Sequence, residues 1–538
     1  MTLEPSGYAD SFARDRLPAP ERWPEFRFDL PELAYPKRLN CAAELLDTAV
    51  ADGHGDTVAI YSKDRTLTYA QLLAEANRIA NVLTGELGMK TGERVLLHGP
   101  NCPDLFIAWY GVIKAGGIVV ATMPLLRARE LVTVCQKAEV SLALCDMRMA
   151  DEVRAAADSA PFPARVVEWG QESELENLTA HASPHFDNVD TAADDIALLA
   201  FTSGTTGQPK ACVHFHRSVL AMADTFGKHT LKPQPGDIYA GTPPLAFTFG
   251  LGAFLVFPAR ARISVALTSK PGFEALCETI QEYGVTHTFT APTGYRAIMG
   301  LWDQYDLSSL KGGVSAGEHL PKATWQAYRD KTGIGLVDGI GATEMIHIFI
   351  SASGDDIRPG ATGKAVPGYE ARVIGPDGKD VPDGEIGRLA VRGPTGCLYL
   401  DDNRQDVYVQ DGWNITGDLY RRDADGYFHF VARNDDLIVS SGYNIAGPEV
   451  EQALLMHGAV AECAVIGAPC ADRGMIVQAH IVLKPGHEPD EELAKDLQNF
   501  VKATIAPYKY PRSIVFTDAL PKTQTGKIQR FKLREAHS

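Results

Sequence analysis

Nowhere in the 538 residues is there a C-x-x-C pair, an H-E-x-x-H or a Cys/His run with zinc-ligand spacing, so no zinc site is expected. Cysteine is sparse and irregular. Nine residues, at 41, 102, 135, 145, 212, 277, 397, 463 and 470, form an odd, scattered set that argues against a disulfide scaffold and for reduced thiols in the cytoplasm. Long apolar runs are missing too: the longest are broken by Lys114 or by Arg260 and Arg262, well below the roughly 20 residues a membrane span needs. The N-terminal stretch carries Asp10, Arg14, Asp15, Arg16, Glu21 and Arg22 among prolines and lacks the apolar core of a secretory signal. Positive charge is in deficit, with 51 Lys and Arg against 68 Asp and Glu and a net charge of −17. That balance gives no general basic footprint for nucleic acid, and a polyanionic ligand must find a locally positive pocket. There is no internal repeat and no low-complexity tract.

What is present is alternation. Arg94 to His98 reads as a strand, Pro103 to Lys114 as a helix, Ile118 to Thr122 as a strand, Ala128 to Ala138 as a helix and Ser141 to Cys145 as a strand. The pattern resumes with Ile196 to Phe201, the helix Phe273 to Tyr283 and the short strand Thr286 to Thr290; such alternation implies βαβ units and a mostly parallel sheet. From about Arg372 the texture changes to short strands with polar turns such as Gly375 to Lys379, the mark of a β-rich subdomain. After Asn434-Asp435-Asp436 come the helix Gly447 to Met456, strands Ala459 to Gly467 and Val477 to Leu483, and the helix Glu491 to Thr504. The expectation is an α/β fold: a large N-terminal domain over residues 1–433, made of α/β subdomains plus a β-rich one, and a small mobile α+β C-terminal domain over 434–538.

The stretch Thr202-Ser203-Gly204-Thr205-Thr206-Gly207-Gln208-Pro209-Lys210 follows the apolar run Ile196 to Phe201. Its glycines let backbone N–H groups converge on an anion, its hydroxyls add donors and Lys210 adds charge, so it reads as a phosphate-handling loop. It is not a Walker A loop, because no Gly-Lys-Ser or Gly-Lys-Thr occurs. Asp338-Gly339-Ile340-Gly341-Ala342-Thr343-Glu344 allows close backbone approach to a flat ring, with Glu344 able to hold magnesium; an ordinary strand-to-helix turn is the plainer alternative. Asp418, in Thr416-Gly417-Asp418, suits two sugar hydroxyls, and Arg433 offers a donor fork to the same sugar; each alone is equally compatible with a surface ion pair.

From Lys502 to Arg534 the charge inverts, with eight basic residues facing the single acid Asp518, which suggests an anion-facing lobe. There Pro521-Lys522-Thr523-Gln524-Thr525-Gly526-Lys527 puts Lys527 just after a mobile turn, from which it can be delivered to a site and withdrawn. Gly313-Val314-Ser315-Ala316-Gly317 matches the G-x-S-x-G nucleophile elbow. No apolar strand precedes it and Pro321 follows, so a serine hydrolase is not expected.

Taken in order, the Thr202 to Lys210 loop, Gly339 to Glu344, Thr416 to Asp418, Arg433 with Asp435, Ser441-Gly442-Tyr443 and Thr525-Gly526-Lys527 resemble the signature set of the adenylate-forming acyl-CoA synthetases, over roughly residues 43–532. That resemblance implies two steps. A carboxylate attacks the α-phosphorus of ATP to give an acyl-adenylate and pyrophosphate, and a CoA thiol then displaces AMP. ATP, Mg2+ and CoA follow as cofactor and co-substrates. By the same resemblance Thr202 to Lys210 holds the phosphates, with Gly317, Glu318, Asp338, Gly339 and Ile340 completing the nucleotide site. Thr343 touches the α-phosphate, Glu344 binds magnesium, Asp418 and Arg433 hold ribose, and Lys527 bridges the carboxylate and α-phosphate oxygens. Asp435 is the hinge, and Ser441, Gly442 and Tyr443 border the pantetheine tunnel.

Within the family the chain is most similar to benzoate-CoA and 2-aminobenzoate-CoA ligases, through Ala291-Pro292-Thr293-Gly294-Tyr295, Ser315 to Glu318 and Gly341 to His347. Two departures stand out: Ile340 where many relatives carry tyrosine, and Phe247 where they carry histidine. The resemblance places Phe247, Tyr295, Gly341, Met345 and His347, with Ile340, around a short, flat acyl pocket suited to an aryl acid. 2-Aminobenzoate is favoured and benzoate comes next. The alternative is a free-standing enzyme that loads the aryl acid onto a carrier-protein thiol. A homodimer is compatible with the sequence; nucleic-acid and membrane partners are not expected.

Overall fold

The computed structural model describes residues 3–159, 165–202, 209–433, 436–440, 443–470, 474–505, 507–522 and 528–535. The β-branched and leucine-rich runs Arg94–His98, Ile118–Thr122 and Leu142–Asp146 are buried almost throughout, as strands covered on both faces must be. They sit inside a six-stranded sheet whose order is Arg165–Trp169, Leu142–Asp146, Arg94–His98, Ile118–Thr122, Ile196–Thr202 and Lys210–Phe215. All neighbours run parallel except the last pair, a hairpin. Helix Pro103–Lys114 begins with proline, whose missing N–H costs nothing at a helix start. It packs on helix Tyr69–Thr84 so closely that a Cβ at Gly111 would stand 2.5 Å from Ile79. Lys114, the charge that breaks the apolar run, is fully buried there and is held by Asp47 at 2.5 Å.

A second sheet has nine strands. Its centre, in the order Leu336–Gly341, Gly312–Ser315, His287–Thr290, Ile238–Gly241, Ser264–Ala266 and Val58–Tyr61, is parallel; antiparallel strands flank it on both edges. Alternation splits its residues between two cores. Tyr239, Phe289 and Val314 join the large core, while Ala240 and Leu336 join Tyr295 in a separate one. Strand Gly312–Ser315 is one the sequence context does not predict, because two of its four residues are glycines; a Cβ at Gly313 would lie 2.6 Å from the Tyr295 hydroxyl. Ser315 is nonetheless no elbow nucleophile. Its hydroxyl is buried without a partner among the described residues, and the next helix starts only at Lys322.

The β-rich region is an antiparallel sheet of Glu370–Ile374, Ile386–Arg392, Trp413–Arg422, Val409–Gln410 and Phe428–Arg433, its first turn closed by Gly375 N–H donating to the Lys379 carbonyl at 2.8 Å. The C-terminal region has its own sheet, of Leu437–Ser440, Tyr443–Ala446, Val460–Cys470, Gly474–Leu483 and Ser513–Phe516, and its own apolar core around Ile438, Val450, Ile481 and Leu497. Helix Gly447–Leu455 and helix Glu491–Thr504, the latter capped by the Asp490 carboxylate on Leu493 N–H, complete it. Among the described residues no helix is long and apolar enough to cross a membrane.

Candidate active site

The ends of several strands meet beside the hairpin of the first sheet. Thr202 closes one strand and pairs with Lys210, which opens the next. Between them Ser203, Gly204, Thr205, Thr206 and Gly207 lie outside the described residues, as do Asp435, Ser441, Gly442 and Lys527. Tyr443 opens the strand Tyr443–Ala446.

Alongside the Lys210 strand runs the segment Leu398 to Leu400, tied on by Val213 N–H to the Leu398 carbonyl at 2.8 Å and by Leu400 N–H to the Ala211 carbonyl at 3.0 Å. This delivers Tyr399, fully buried, to the lysine. The Tyr399 hydroxyl accepts from Lys210 Nζ at 2.8 Å and donates to Glu344 Oε1 at 2.5 Å; Lys210 Nζ itself stands 3.5 Å from that oxygen. Glu344 lies in the one-turn helix Thr343–Met345, just beyond strand Leu336–Gly341. The same turn is fastened from behind by His214, whose Nε2 lies 2.8 Å from the Thr343 carbonyl. A carbonyl only accepts, so Nε2 carries the proton, and burial holds the ring neutral by pushing its pKa down to about 4.

Asp418 and Arg433 face each other in register on adjacent strands, with Nη1 3.3 Å from Oδ1. Gly417 is required there: a Cβ would come within 2.6 Å of Arg433 Nη2. Gly417→Ala is therefore expected to push the guanidinium off its mark and break its register with Asp418, as a crystal structure of the variant will show.

Gly317, at φ +88°, turns the chain after strand Gly312–Ser315. Next to it lies Glu318; burial lowers the pKa of the Arg530 guanidinium, but the paired Glu451 carboxylate, with smaller contributions from Asp436 and Glu318, raises it on balance. His319 stacks on Phe430 with centroids 5.3 Å apart, and its Nε2 meets Gln452 Nε2 at 2.6 Å across to helix Gly447–Leu455. Burial pushes His319 down to about 4, so its neutral ring accepts from the amide. Arg530, held by Glu451 of that same helix, thus lies on the side of the Glu318 turn. On the strand between, burial pushes the Asp338 carboxyl well above the usual carboxylate range. Gly339 and Gly341 admit Ile348 and the His347 backbone within 2.9 Å of where a Cβ would stand, and Ile340 packs against the large core.

Met345 and His347 are buried on the large-core side. The His347 ring lies among Phe257, Phe226 and Phe249, at 4.7, 5.3 and 5.9 Å between centroids, and a Cβ at Gly252 would touch its Cδ2 at 2.5 Å. Burial pushes its pKa down to about 3, and neither nitrogen closes a hydrogen bond of ordinary geometry among the described residues. Phe247 begins the helical stretch behind which His347 sits, its carbonyl accepting from Leu251 N–H at 2.8 Å.

Tyr295 does not belong with these residues, and its expected place in the acyl pocket is corrected. It is fully buried in the other core against Tyr328, and its hydroxyl donates to the Thr288 and Val314 carbonyls at 2.8 and 3.0 Å. In the basic C-terminal stretch, Lys509, Lys522, Arg530 and Arg534 pair with Glu449, Glu462, Glu451 and Asp436, acids distant in sequence that fold back onto them, so less positive charge is left to face an anion than the local net charge implies. Conversely, Tyr399, His214 and His319 join the site without a sequence signal. Tyr399 sits in the apolar run Cys397-Leu398-Tyr399-Leu400 and reads as core.

Among the described residues no three His, Cys, Asp or Glu side chains gather as a metal cage. One carboxylate, Glu344, with Oε1 engaged and no partner on Oε2 among those residues, fits an ion such as Mg2+ whose remaining ligands are phosphate oxygens and water.

The chain matches the family described as AMP-binding enzyme over residues 47–398 and the AMP-binding enzyme C-terminal domain over residues 449–527. It is 33% identical to the benzoate–CoA ligase of Thauera aromatica over 517 residues, covering 94% of this chain and 98% of that one. Among solved structures it is similar to the anthranilate CoA ligase AuaEII in complex with anthranoyl-AMP (TM-score 0.90, 34% identity, 95% of this chain and 99% of that chain). It is also similar to a benzoate CoA ligase from Burkholderia xenovorans LB400 (TM-score 0.85, 32% identity, 92% and 100%).

Proposed function

The chain belongs to the AMP-binding enzymes of the adenylate-forming superfamily, and on that premise we propose that it is an ATP-dependent aryl-CoA ligase, favouring 2-aminobenzoate and then benzoate. The observation that carries this reading is the convergence of Lys210 and Glu344, 134 residues apart in sequence, on one tyrosine hydroxyl at the mouth of the Thr202–Lys210 hairpin. A cation for phosphate oxygens and a carboxylate for the phosphates' metal stand side by side there. Bound magnesium would neutralise charge on the phosphates.

In this reading Thr202 to Gly207 and Lys210 cradle the phosphates and Thr343 meets the α-phosphate. Gly317, Glu318, Asp338, Gly339 and Ile340 surround the base, and Asp418 with Arg433 takes the ribose. The acid's carboxylate oxygen attacks the α-phosphorus and pyrophosphate leaves. Lys527 orients that oxygen and offsets the charge growing on the phosphorus, without moving a proton. The domain 434–538 then pivots at Asp435, since a lysine left in place obstructs the thiol. Ser441, Gly442 and Tyr443 come to border the pantetheine, whose sulfur attacks the acyl carbon and expels AMP. A cytoplasmic setting fits nine cysteines without a disulfide.

The acid preference rests on Phe247, Ile340, Gly341, Met345 and His347, a flat and mostly apolar set with one neutral imidazole able to hydrogen-bond a ring substituent. AMP release with CoA alone, assayed with 2-aminobenzoate, benzoate, hydroxybenzoates and a medium-chain fatty acid, tests both halves. The expected order puts 2-aminobenzoate first. A fatty acid winning overturns the pocket, and AMP release that requires a carrier protein favours the loading enzyme. His347→Phe, which keeps a flat ring and removes both nitrogens, is expected to cut the kcat/KM ratio of 2-aminobenzoate to benzoate about tenfold.

A further inference from the structure

Building on that reading of the site, we infer that Tyr399 is a positioning residue for the metal-binding carboxylate: its hydroxyl holds Glu344 by one oxygen so that the other is left for the cation. The geometry is one-sided. Glu344 Oε1 takes both the Tyr399 hydroxyl, at 2.5 Å, and Lys210 Nζ, at 3.5 Å, while Oε2 has no partner among the described residues. A glutamate has three side-chain torsions, and a short helical turn fixes only its backbone. The Tyr399 hydroxyl donor selects the rotamer.

Tyr399 can do this because it is itself immobile. Its ring is fully buried, and its N–H donates to Gln405 Oε1 at 2.9 Å. Gln405 in turn donates to the Cys397 and Arg22 carbonyls at 3.0 and 2.9 Å. Lys210 Nζ also lies 4.8 Å from the ring centroid, so the same tyrosine sets the spacing between the phosphate-side cation and the carboxylate. Tyr408, its neighbour at 6.0 Å between centroids, has a buried hydroxyl that bonds nothing among the described residues and serves as the control.

Removing a group that orients a metal ligand typically costs ten- to a hundredfold in metal affinity. The test is ATP binding by equilibrium dialysis at stepped free Mg2+, with metal-free AMP binding and thermal melting measured on the same samples. Tyr399→Phe is expected to raise the free Mg2+ at half-maximal ATP binding about tenfold, to leave AMP binding unchanged, and to add nothing in a Glu344→Gln background; Tyr408→Phe is expected to keep the wild-type half-point. If Tyr399→Phe melts early, Tyr399→Met, a flexible apolar replacement without a donor, carries the same expectation. An unchanged half-point in the folded variants, or losses that add to those of Glu344→Gln, overturns the assignment of Tyr399. Wild-type protein that binds ATP with no response to Mg2+ overturns the reading of the site as well.

Discussion

Lys527→Ala is expected to lower acid-dependent adenylate formation about 10²- to 10³-fold, while thioester formation from supplied acyl-adenylate and CoA keeps its rate. The magnitude is that of removing one preorganised partner of a developing oxyanion, about 3–4 kcal/mol. Although position 527 itself lies outside the described residues, the base of its loop is fixed. Lys522 and Ile528 form a β-bridge, and Gln529 N–H donates to the Pro521 carbonyl at 2.8 Å. Arg530 is clamped by Glu451 at 2.8 Å, on the same helix whose Gln452 meets His319. On the proposed reading, these anchors on either side of residues 523–527 are what would deliver the Lys527 ammonium to the nucleotide. Measured separately, the two half-reactions must diverge; equal loss in both contradicts the division of labour between adenylation and thioester formation.

Glu344→Gln should cost about 10²-fold in kcat/KM for ATP in the first half-reaction, about 2.7 kcal/mol, and less in the second. The replacement keeps shape and an acceptor for the Tyr399 hydroxyl, so the fold is expected to persist. What is lost is negative charge for Lys210 at 3.5 Å and, on the proposed reading, for a Mg2+ ion bound with the phosphates. Since pyrophosphate has left before the thiol arrives, thioester formation from acyl-adenylate depends on that charge far less. Comparing both steps across a series of free Mg2+ concentrations checks the point, and parallel losses in the two steps would count against Glu344 as the metal ligand.

Strands and helices were legible where burial imposes a simple pattern. The runs at 94–98 and 118–122 are apolar because both faces are covered, and the helix at 491–504 begins and ends where its sequence says, at the Asp490 cap and after Thr504. The glycines of the polar motifs were legible as motif members but not in their roles: Gly417 lies within strand Trp413–Arg422 against Arg433 rather than at a tight turn, and Gly317 sits at positive φ. Tyr295 was not, because a motif in one dimension does not say which face of a sheet a following helix covers. Its side chain enters the core shared by Ala240 and Leu336, and Phe289, one residue beyond Thr288, points into the other. Tyr399 escaped for a related reason. A tyrosine in an apolar run reads as core, and it is core except for one oxygen, whose partners come from positions 210 and 344. The basic tail misled because its counter-charges lie at 436–462, so local net charge overstated the exposed positive potential.

The central claim is that an aryl carboxylate and ATP react in this site to give an acyl-adenylate before any thiol is involved. Exchange of labelled pyrophosphate into ATP, followed with folded protein, Mg2+ and no CoA, tests it most directly. Exchange that appears on adding 2-aminobenzoate or benzoate, and vanishes in Lys527→Ala, is the predicted result; no exchange with any acid of a broad aryl and alkyl panel would contradict it.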